Sequence, residues 1–421
     1  MSRGNGRIRL RKKDCLSYLV EFMPTFSEIQ PNLPHRDLQD CARNASEDRV
    51  QAVLRQGKAR NLEDFAALIS PAAIPHLESL AHLSRTLTQR HFGKTIRLFA
   101  PIYLSNECVN VCKYCGFSRH LDIPRITVPL DQAVKETQLL ADQGFRSLLI
   151  VAGEHPKYVS NGYVVDVVKA CLDIMPSLSI ELGPMKTEGY LPIVEAGCEG
   201  LIVYQETYDK PTYKELHPSG PKSRFEWRMD TPERGYEAGF RRIGIGALFG
   251  LADWVGDAIN LAAHAQFLTR KLWKSQLTVA FPRMRPATGG FQVNPKNCLN
   301  DTQLLQLTCA FRLLLPHVGI VLSTREPQHL RNGFVQCGVT MMSAGSSTEP
   351  GGYSSYTTDH FSSSGKEQEG EQFHIADERT PAEVAKMIQE QGYEPVWRDF
   401  HQSLVHPEWL PAKSRELATS P

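Results

Sequence analysis

Three cysteines stand close together in the segment 104–117, LSNECVNVCKYCGF. Cys108, Cys112 and Cys115 are separated by three and then two residues, in a chain that has only 10 cysteines among 421 residues. Thiolates with this spacing on one loop can bind a common metal centre, because cysteine sulfur is a strong ligand for zinc and for iron–sulfur clusters. The spacing therefore predicts a metal site with three cysteine ligands.

The identity of this metal centre depends on the fourth ligand. A structural zinc site has four protein ligands, and His120 would have to complete the set in an unusual C-x3-C-x2-C-x4-H arrangement. An iron–sulfur cluster is normally held by four cysteines, so three would leave one iron open to a ligand from outside the protein. The third alternative, three ordinary thiols, is disfavoured by the tight spacing.

The composition excludes several classes of protein. Lys and Arg number 47 and Asp and Glu 46, so the net charge of +1 gives no overall field that would attract nucleic acid or an anionic membrane. No apolar run approaches the ~20 residues of a membrane-spanning helix, and none resembles a signal peptide. We therefore expect a cytoplasmic protein, in which grouped cysteines bind metal or are catalytic rather than forming disulfides. The remaining cysteines occur singly, and most of them are expected to be small buried hydrophobic residues: Cys15, Cys41, Cys171, Cys198, Cys298, Cys309 and Cys337.

The elements that must position the metal site alternate regularly along the chain. Short apolar runs are separated by amphipathic stretches, with clear helices over 130–144, 256–272 and 301–316. The apolar runs are IRLFAPIYL, SLLIVAG, SLSIEL, GLIVYQE, RRIGIGALFG, LTVAFP, GIVLSTR and TMMSAGS. Apolar strands alternating with helices indicate an α/β protein with a parallel sheet covered on both faces. Eight repeats in about 250 residues predict a closed (βα)8 barrel of the TIM type.

Residues with distinctive chemistry stand at the carboxyl ends of these predicted strands, where the active sites of such barrels are built. They are the cysteines after strand 1, Gly153 and Glu154 after strand 2, Gln205 and Glu206 at the end of strand 4, Arg283 and Arg285 after strand 6, Arg325 after strand 7, and Ser343 in strand 8. We therefore expect these residues to lie together at the rim formed by the carboxyl ends of the strands.

Four segments make up the predicted domain organisation. A basic tail, 1–22, is expected to be disordered, and a helical segment, 23–94, leads into the barrel, 95–350. The C-terminal extension, 351–421, contains a loop rich in Ser, Gly and Glu and then a helix over 381–392.

The cysteine motif, with the aromatic Tyr114 just before its third cysteine, resembles the signature of the radical S-adenosylmethionine (SAM) superfamily. Other segments resemble, in the same order, its aromatic amino acid lyases, and among these the tyrosine lyases of thiamine thiazole biosynthesis. The segments are LLIVAGEHP, VYQETYDKPTYKELHP, RIGIGALFGL, FPRMRPATGG, LSTRE and EPGGY, and the likeness runs from about Leu62 to Val405. It implies a 4Fe-4S cluster held by the three cysteines, with SAM bound to the open iron.

The resemblance also implies which residues contact SAM. Gly153 and Glu154 match the element that meets the SAM amino group, for which a carboxylate is a suitable acceptor. Glu206 and Arg228 match further SAM contacts, with Arg228 toward the SAM carboxylate, and Tyr114 would lie against the adenine. The alternative for Glu154 is a solvent-exposed position in a turn. For Arg228 it is a position on a helix surface, and for Tyr114 it is packing in the core.

The amino acid substrate is expected near Arg325, which matches the arginine that grips the substrate carboxylate. A guanidinium offers a planar two-donor fork that suits this role. Tyr103 and Ser343 match residues that contact the amino acid end of the substrate. The alternatives are a structural ion pair for Arg325 and backbone hydrogen bonds for the two hydroxyls. No individual role follows for Arg283 or Arg285.

The implied reaction is cleavage of the Cα–Cβ bond of L-tyrosine to 2-iminoacetate (dehydroglycine) and p-cresol, with methionine and 5'-deoxyadenosine as co-products. The resemblance implies two protein partners: an electron donor such as flavodoxin or ferredoxin, and thiazole synthase, which would receive the dehydroglycine. No nucleic-acid or membrane partner is expected.

Three other activities remain as alternatives. A tryptophan lyase of the same family shares TREPQ and PRMRP with this chain, although the matches at YLSN and CGFS favour tyrosine. The tyrosine lyase that builds the diiron ligands of iron-only hydrogenase carries a second, C-terminal cysteine set, whereas the last cysteine here is Cys337. A zinc-binding interaction module is the alternative from a different class.

Overall fold

Helices occupy the first part of the chain that the structure describes. The computed structural model describes residues 24–354 and 370–397. These helices are α1 (Phe26–Ile29), α2 (His35–Asn44), α3 (Glu47–Gln56), α4 (Leu62–Leu68) and α5 (Leu77–Phe92). The predicted basic tail, 1–22, and most of the loop predicted after Gly352 lie outside the described residues.

Eight parallel strands follow and close into a barrel. They are β1 (Thr95–Ser105), β2 (Ser147–Ala152), β3 (Ser177–Glu181), β4 (Gly200–Glu206), β5 (Arg242–Ala247), β6 (Gln276–Ala280), β7 (Gly319–Leu322) and β8 (Met341–Ser343). Neighbouring strands pair in sequence order, and β1 pairs with both β2 and β8, which closes the ring. The prediction of a (βα)8 barrel is therefore confirmed.

Helices cover the outside of the barrel, as the alternating pattern predicts. They are α6 (Leu130–Asp142), α7 (Asn161–Leu172), α8 (Thr187–Glu195), α9 (Lys210–Leu216), α10 (Phe225–Met229), α11 (Thr231–Ala238), α12 (Trp254–Lys271), α13 (Asp301–Leu314) and α14 (Gln328–Phe334). Asn300 and Gln303 form a capping box that starts α13, where the sequence predicts a helix to begin. None of the helices in the described ranges is both long and apolar enough to cross a membrane.

The two-residue period of β1 separates the outer core from the interior of the barrel. Ile96, Leu98, Ala100 and Ile102 are buried in the hydrophobic core that includes the surrounding helices. The residues between them, Phe99, Pro101 and Tyr103, line a cavity inside the barrel. The same alternation turns polar side chains at the ends of other strands toward that cavity.

The C-terminal extension returns to the barrel as a helix and a strand. The predicted helix is present as α15 (Pro381–Glu390). A short strand, β9 (Glu394–Val396), which the sequence analysis did not predict, pairs in parallel with the beginning of β1. Three residues of apolar alternation are too few to predict a strand without knowing its partner.

Before α15, residues 370–377 cross the open end of the barrel, and we call this segment the strap. Its backbone bonds to the loops after β1, β6, β7 and β8: Gly116 N donates to Gln372 O (3.2 Å), His374 N to Pro286 O (3.0 Å), Ala376 N to Thr324 O (2.8 Å) and Gln372 N to Thr348 O (3.0 Å). The strap therefore connects the loops that follow four of the eight barrel strands.

A buried carboxylate anchors the end of the strap. Asp377 is 2% exposed and pairs with Arg331, which is 0% exposed, while Arg379 Nη2 donates to Asp377 Oδ2 at 2.6 Å. Burial alone would raise the pKa of Asp377, but the hydrogen bonds from Arg379 and the charge of Arg331 lower it. Arg331 also donates to the carbonyl oxygen of Ser343, so the anchor contacts β8 directly.

We predict that Asp377→Ala destabilises the protein by about 3–5 kcal/mol, because it leaves the buried charge of Arg331 without its partner. Thermal or denaturant unfolding would measure the loss. Glu390→Ala is the matched control, since Glu390 and its ion-pair partner Lys386 are both exposed and their charged atoms are 3.8 Å apart. A similar, small effect of both substitutions would contradict the anchor.

Candidate functional site

The three cysteines lie on the loop between β1 and α6, and neighbouring loops hold this loop from both sides. Val109 N donates to Glu154 O beside β2 (2.8 Å), while Val111 N donates to Ser219 O (2.9 Å) and Lys113 N to Leu216 O (3.1 Å) beyond β4. The path of the cysteine loop is thus fixed by backbone hydrogen bonds to two other strand ends.

Arg125 holds the two ends of the cysteine loop together. Its guanidinium donates to the carbonyl oxygens of Asn106 (2.7 Å), Phe117 (2.8 Å), Ser118 (2.8 Å) and Leu121 (3.1 Å). An arginine whose Nη1 and Nη2 groups bind four carbonyl oxygens has a structural role here. The sequence analysis did not select it, because nothing in the surrounding sequence distinguishes it from a surface arginine.

The donor set fits a multinuclear cluster better than a single metal ion. Within the described ranges, no three His, Cys, Asp or Glu side chains come close enough together to hold one ion. His120, the fourth ligand of the zinc alternative, instead shares a hydrogen bond with Ser118 at 2.9 Å. In a four-iron cluster each thiolate binds a different iron, so the sulfurs need not converge on one point.

The surroundings of the sulfurs also suit thiolate ligands. Phe117 N donates to Cys115 Sγ at 3.4 Å, and Asn110 Nδ2 lies 3.6 Å from Cys108 Sγ. Burial raises the pKa of the Cys112 thiol to about 12, while Lys222 opposes this rise. Without a metal Cys112 would therefore remain protonated, so binding a cluster to it releases a proton.

Glycines permit the close packing of the cysteine loop. A Cβ atom on Gly153 would lie 2.3 Å from the carbonyl oxygen of Glu107 and 3.2 Å from Cys108 Cβ. A Cβ on Gly116 would lie 2.3 Å from the carbonyl oxygen of Glu371 in the strap. The structure thus places the predicted Gly153 directly against the cysteine loop.

Asn110 links the cysteine loop to two other parts of the rim. Its Nδ2 donates to Glu154 Oε2 at 2.8 Å, and its Oδ1 accepts from Lys222 N at 2.8 Å. Glu154 lies over Gly183, where a Cβ would come within 2.4 Å of Glu154 Cγ. Glu154 is therefore held in place beside the cysteines, rather than standing in an exposed turn.

Glu206 forms the centre of a buried charge cluster with two cations. Its Oε1 accepts from Lys222 Nζ at 2.7 Å and from Arg228 Nη2 at 3.3 Å. Burial alone would raise the pKa of Glu206, but Lys222 and Arg228 together lower it to about 2. Glu206 has a φ of 75°, a backbone conformation that non-glycine residues rarely adopt and that often marks a functional site.

The structure brings Glu206 and Arg228 together, although the sequence analysis treated them as separate contacts. Arg228 also donates through Nε to the carbonyl oxygen of Tyr204 at 2.7 Å. Lys222, the third member of the cluster, was not selected, since it lies in a short 3-10 turn between helices and follows no strand.

Tyr114 is buried and its orientation is fixed by a histidine. His217 Nδ1 lies 2.7 Å from the carbonyl oxygen of Tyr213 and must donate to it, so His217 Nε2 is left to accept from the Tyr114 hydroxyl at 2.8 Å. Burial lowers the pKa of His217 to about 3, so the imidazole is neutral. This histidine therefore positions Tyr114.

A cavity opens between the cysteine loop and the interior of the barrel. Among the residues predicted for the site, it is lined by Tyr103, Tyr114, Cys115, Glu206, Arg325 and Ser343. Gly153, Glu154 and Arg228 do not line it, but each contacts a loop or side chain that does. The barrel thus brings together residues at the ends of strands that are far apart in the sequence.

Arg325 projects into this cavity with its charge unpaired. Its guanidinium carbon lies 3.2 Å from the centre of the Phe373 ring in the strap. It makes no side-chain hydrogen bond or ion pair within the described parts of the chain. The structure therefore does not support the structural ion pair as an alternative for Arg325.

The two hydroxyl residues at this end of the cavity both have hydrogen-bond partners. Tyr103 OH donates to Gln372 Oε1 at 2.9 Å, and Ser343 Oγ accepts from Thr324 N at 3.1 Å. The Ser343 hydroxyl can still donate. Gln372 and Phe373 belong to the strap, and for these positions the sequence analysis predicted only a loop.

Arg283 and Arg285 are held by one buried carboxylate. Arg283 Nε lies 3.0 Å from Glu326 Oε2 and its Nη1 donates to Asp301 Oδ1 at 2.7 Å. Arg285 Nη2 lies 3.4 Å from the same Glu326 oxygen. These pairs join the loops after β6 and β7, which is a structural role for both arginines.

Glu181, at the end of β3, is a cavity residue that the sequence analysis missed. Burial, and then the charge of Glu206, raise the pKa of Glu181 to about 7, against the opposing effect of Arg325. An acidic residue ending an apolar strand is the same signal that selected Glu206, so it could have been found.

We predict that Gly153→Ala lowers the amount of iron that the protein retains after reconstitution. The added methyl group must displace the Glu107 backbone, and such overpacking costs about 1–3 kcal/mol. Iron and sulfide analysis per chain would measure the loss. Gly162→Ala is the control, because a Cβ there meets nothing nearer than 4.0 Å, and equal iron in both variants would contradict the prediction.

Known proteins resemble this chain over most of its length. Residues 280–394 match the family described as the Biotin and Thiamin Synthesis associated domain. The 2-iminoacetate synthase of Escherichia coli (strain K12) is 37% identical over 383 residues, which are 91% of this chain and 98% of that protein. The 2-iminoacetate synthase of Salmonella typhimurium is 40% identical over 339 residues, 80% of this chain and 87% of that protein.

A solved structure agrees with these relatives. The FeFe-hydrogenase maturase HydG from Carboxydothermus hydrogenoformans superposes with a TM-score of 0.76 at 30% identity, covering 93% of this chain and 86% of that chain. The near-complete coverage of the two curated relatives, together with the barrel and its cysteine loop, confirms the predicted family. The chain belongs to the 2-iminoacetate synthase family of radical SAM lyases.

Proposed function

We propose that this chain cleaves the Cα–Cβ bond of L-tyrosine to 2-iminoacetate and p-cresol, with SAM as co-substrate. The observation that carries the proposal is identity of 37% to a 2-iminoacetate synthase over 98% of that protein. The cavity is consistent with an amino acid substrate, because it combines an unpaired guanidinium with hydroxyl groups and apolar walls.

In this proposal Cys108, Cys112 and Cys115 hold one 4Fe-4S cluster, which leaves one iron for SAM. Three features support this assignment. The thiols share one loop that hydrogen bonds hold in place, and they are not close enough together to bind one metal ion. A backbone N–H group lies beside Cys115 Sγ, and an amide N–H group lies beside Cys108 Sγ. When bound, the cluster and SAM supply one-electron cleavage of SAM and the radical that removes hydrogen from the substrate.

We assign SAM recognition to the residues between the cysteine loop and β4. Gly153 allows close approach of the backbone, and the second oxygen of Glu154 is available to accept from the SAM amino group. Arg228 uses Nε and Nη2 within the protein, and its Nη1 has no hydrogen-bond partner among the described residues, so that donor can bind the SAM carboxylate. Tyr114, fixed by His217, would lie against the adenine.

Arg325 is assigned to the carboxylate of tyrosine. Its flat face is covered by Phe373, so the donors at its edge remain free for a two-donor interaction with a carboxylate. Tyr103 and Ser343 lie at the same end of the cavity, where their hydroxyls can contact the amino acid group. These assignments account for an otherwise costly arrangement, a partly buried arginine whose side chain has no hydrogen-bond or ion-pair partner among the described residues.

We assign to the strap the exclusion of water from the proposed site. It crosses the barrel mouth and places Gln372 and Phe373 against Tyr103 and Arg325. A primary radical must meet the intended bond of its substrate before it meets solvent or protein, so a covered cavity suits this chemistry.

The proposed reaction also requires two protein partners. One is an electron donor such as flavodoxin or ferredoxin, which would reduce the cluster. The other is thiazole synthase, which would take up the unstable 2-iminoacetate for the thiazole of thiamine. Both follow from the family resemblance of the sequence.

Anaerobic incubation of the reconstituted protein with SAM, a reductant and L-tyrosine should form p-cresol and 5'-deoxyadenosine. Parallel incubation with L-tryptophan tests the related lyase activity. Absence of p-cresol from tyrosine, or an indole product from tryptophan in its place, would overturn the proposal. Metal and sulfide analysis separates the cluster from the zinc alternative, which contains no sulfide.

We further predict that Arg325→Ala lowers kcat/KM for tyrosine by about 100-fold or more, since removing one partner of a buried charge pair costs about 2–5 kcal/mol. The absorption spectrum of the cluster should not change. Arg270→Ala, on the exposed side of α12, is the matched control. Unchanged turnover in Arg325→Ala would remove this residue from the site.

A further inference from the structure

The charges that line the cavity can be matched one by one. Its carboxylates are Glu181, Glu206 and Glu326, and its cations are Lys222, Arg285 and Arg325. Lys222 pairs with Glu206 at 2.7 Å and Arg285 lies 3.4 Å from Glu326. One carboxylate and one cation remain.

The remaining pair is Glu181 and Arg325. Neither side chain makes a hydrogen bond or an ion pair anywhere in the described ranges, and they are not within ion-pair distance of each other. They are nevertheless neighbours, because each contributes to the electrostatic environment of the other and of Tyr103. Two opposite charges thus face the same end of one cavity with a gap between them.

An α-amino acid has the complementary pair of charges. Its carboxylate and ammonium are attached to the same carbon, so a site that withdraws the amino acid from water must satisfy both. With Arg325 assigned to the carboxylate, a partner for the ammonium must be an acceptor at the same end of the cavity. Glu206 and Glu326 are already neutralised by arginine or lysine, whereas Glu181 is not.

We propose that Glu181 binds the α-ammonium group of the tyrosine substrate while Arg325 holds its carboxylate. This inference rests on the proposed function, since it takes tyrosine as the substrate. It makes Glu181 the residue that orients the amino nitrogen in the cavity. It also explains why the barrel tolerates an unpaired carboxyl group among apolar residues such as Leu149 and Val151.

The protonation of Glu181 makes the inference testable by pH. The titratable or charged groups that face it are Tyr103, Tyr204, Glu206, Lys222, Arg228 and Arg325. Its raised pKa of about 7 means that the empty site holds a neutral carboxyl group below that pH and a carboxylate above it. An ammonium favours the carboxylate, so tyrosine affinity should fall as the pH drops below about 7.

The experiment compares two ligands, L-tyrosine and 3-(4-hydroxyphenyl)propanoate, which lacks only the amino group. Dissociation constants are measured by calorimetry with the cluster-containing protein under anaerobic conditions. In Glu181→Gln the affinity for L-tyrosine should fall about 10- to 100-fold, as expected for loss of a hydrogen bond to a charged group. The affinity for the propanoate should be unchanged.

Matched controls separate this contact from other roles of Glu181. Glu188→Gln makes the same chemical change on an exposed position of α8 and should leave both affinities unchanged. SAM affinity should be the same in the wild type and in Glu181→Gln. Glu181→Asp, which keeps the charge, should recover part of the lost tyrosine affinity.

Several outcomes would overturn the inference. Equal weakening of both ligands would mean that Glu181 shapes the cavity, and loss of SAM affinity would mean that its partner is SAM. Unchanged tyrosine affinity would remove it from the site. If Glu181→Gln does not fold, the pH dependence of the wild type still tests the inference. As the pH drops below about 7, the affinity for tyrosine must fall while the affinity for the propanoate does not, and an equal pH dependence of both would overturn the inference.

Measurements on the same proteins distinguish a failure of this inference from a failure of the proposed function. If the wild type neither binds nor cleaves tyrosine, the proposed function fails. If the wild type forms p-cresol but Glu181→Gln shows no selective loss for the ligand with the amino group, only the role of Glu181 fails.

Discussion

Closure of the parallel barrel is the constraint on which the site depends. Because β1 pairs with both β2 and β8, the carboxyl ends of all eight strands face one opening. Side chains as distant in sequence as Cys115 and Ser343 therefore meet around one cavity. A parallel sheet buried on both faces needs apolar strands, so polar chemistry is confined to the strand ends and the loops that follow them.

Within this opening, burial makes the pairing of charges decisive. Glu206 pairs with Lys222 and Arg228, and Glu326 pairs with Arg283 and Arg285, and these ion pairs hold loops together. Glu181 and Arg325 are the exception. An unpaired charge in such a place is costly, and a ligand that supplies both missing partners removes the cost on binding.

The cysteine loop and the strap show how the site is kept rigid and covered. The cysteine loop contains neither helix nor strand. Arg125 nevertheless binds its carbonyl groups, and Asn110 binds Glu154 on the neighbouring loop. The strap comes from beyond the barrel and is anchored by Asp377 on the fully buried Arg331. Hydrogen bonds to the residues that surround metal ligands hold such ligands in place, and here these bonds join segments that are separate in the chain.

The sequence by itself determined the barrel, the cysteine motif and the strand-end residues, because each depends on local spacing: the period of apolar runs, three thiols on one loop, and a polar residue after an apolar strand. The same motifs carried the family resemblance, which implied the activity and the candidate site residues. The tertiary structure alone decided which charges pair with each other. The roles of Lys222, Arg125 and the strap, and the unpaired state of Glu181 and Arg325, depend on distances between segments that no local pattern records.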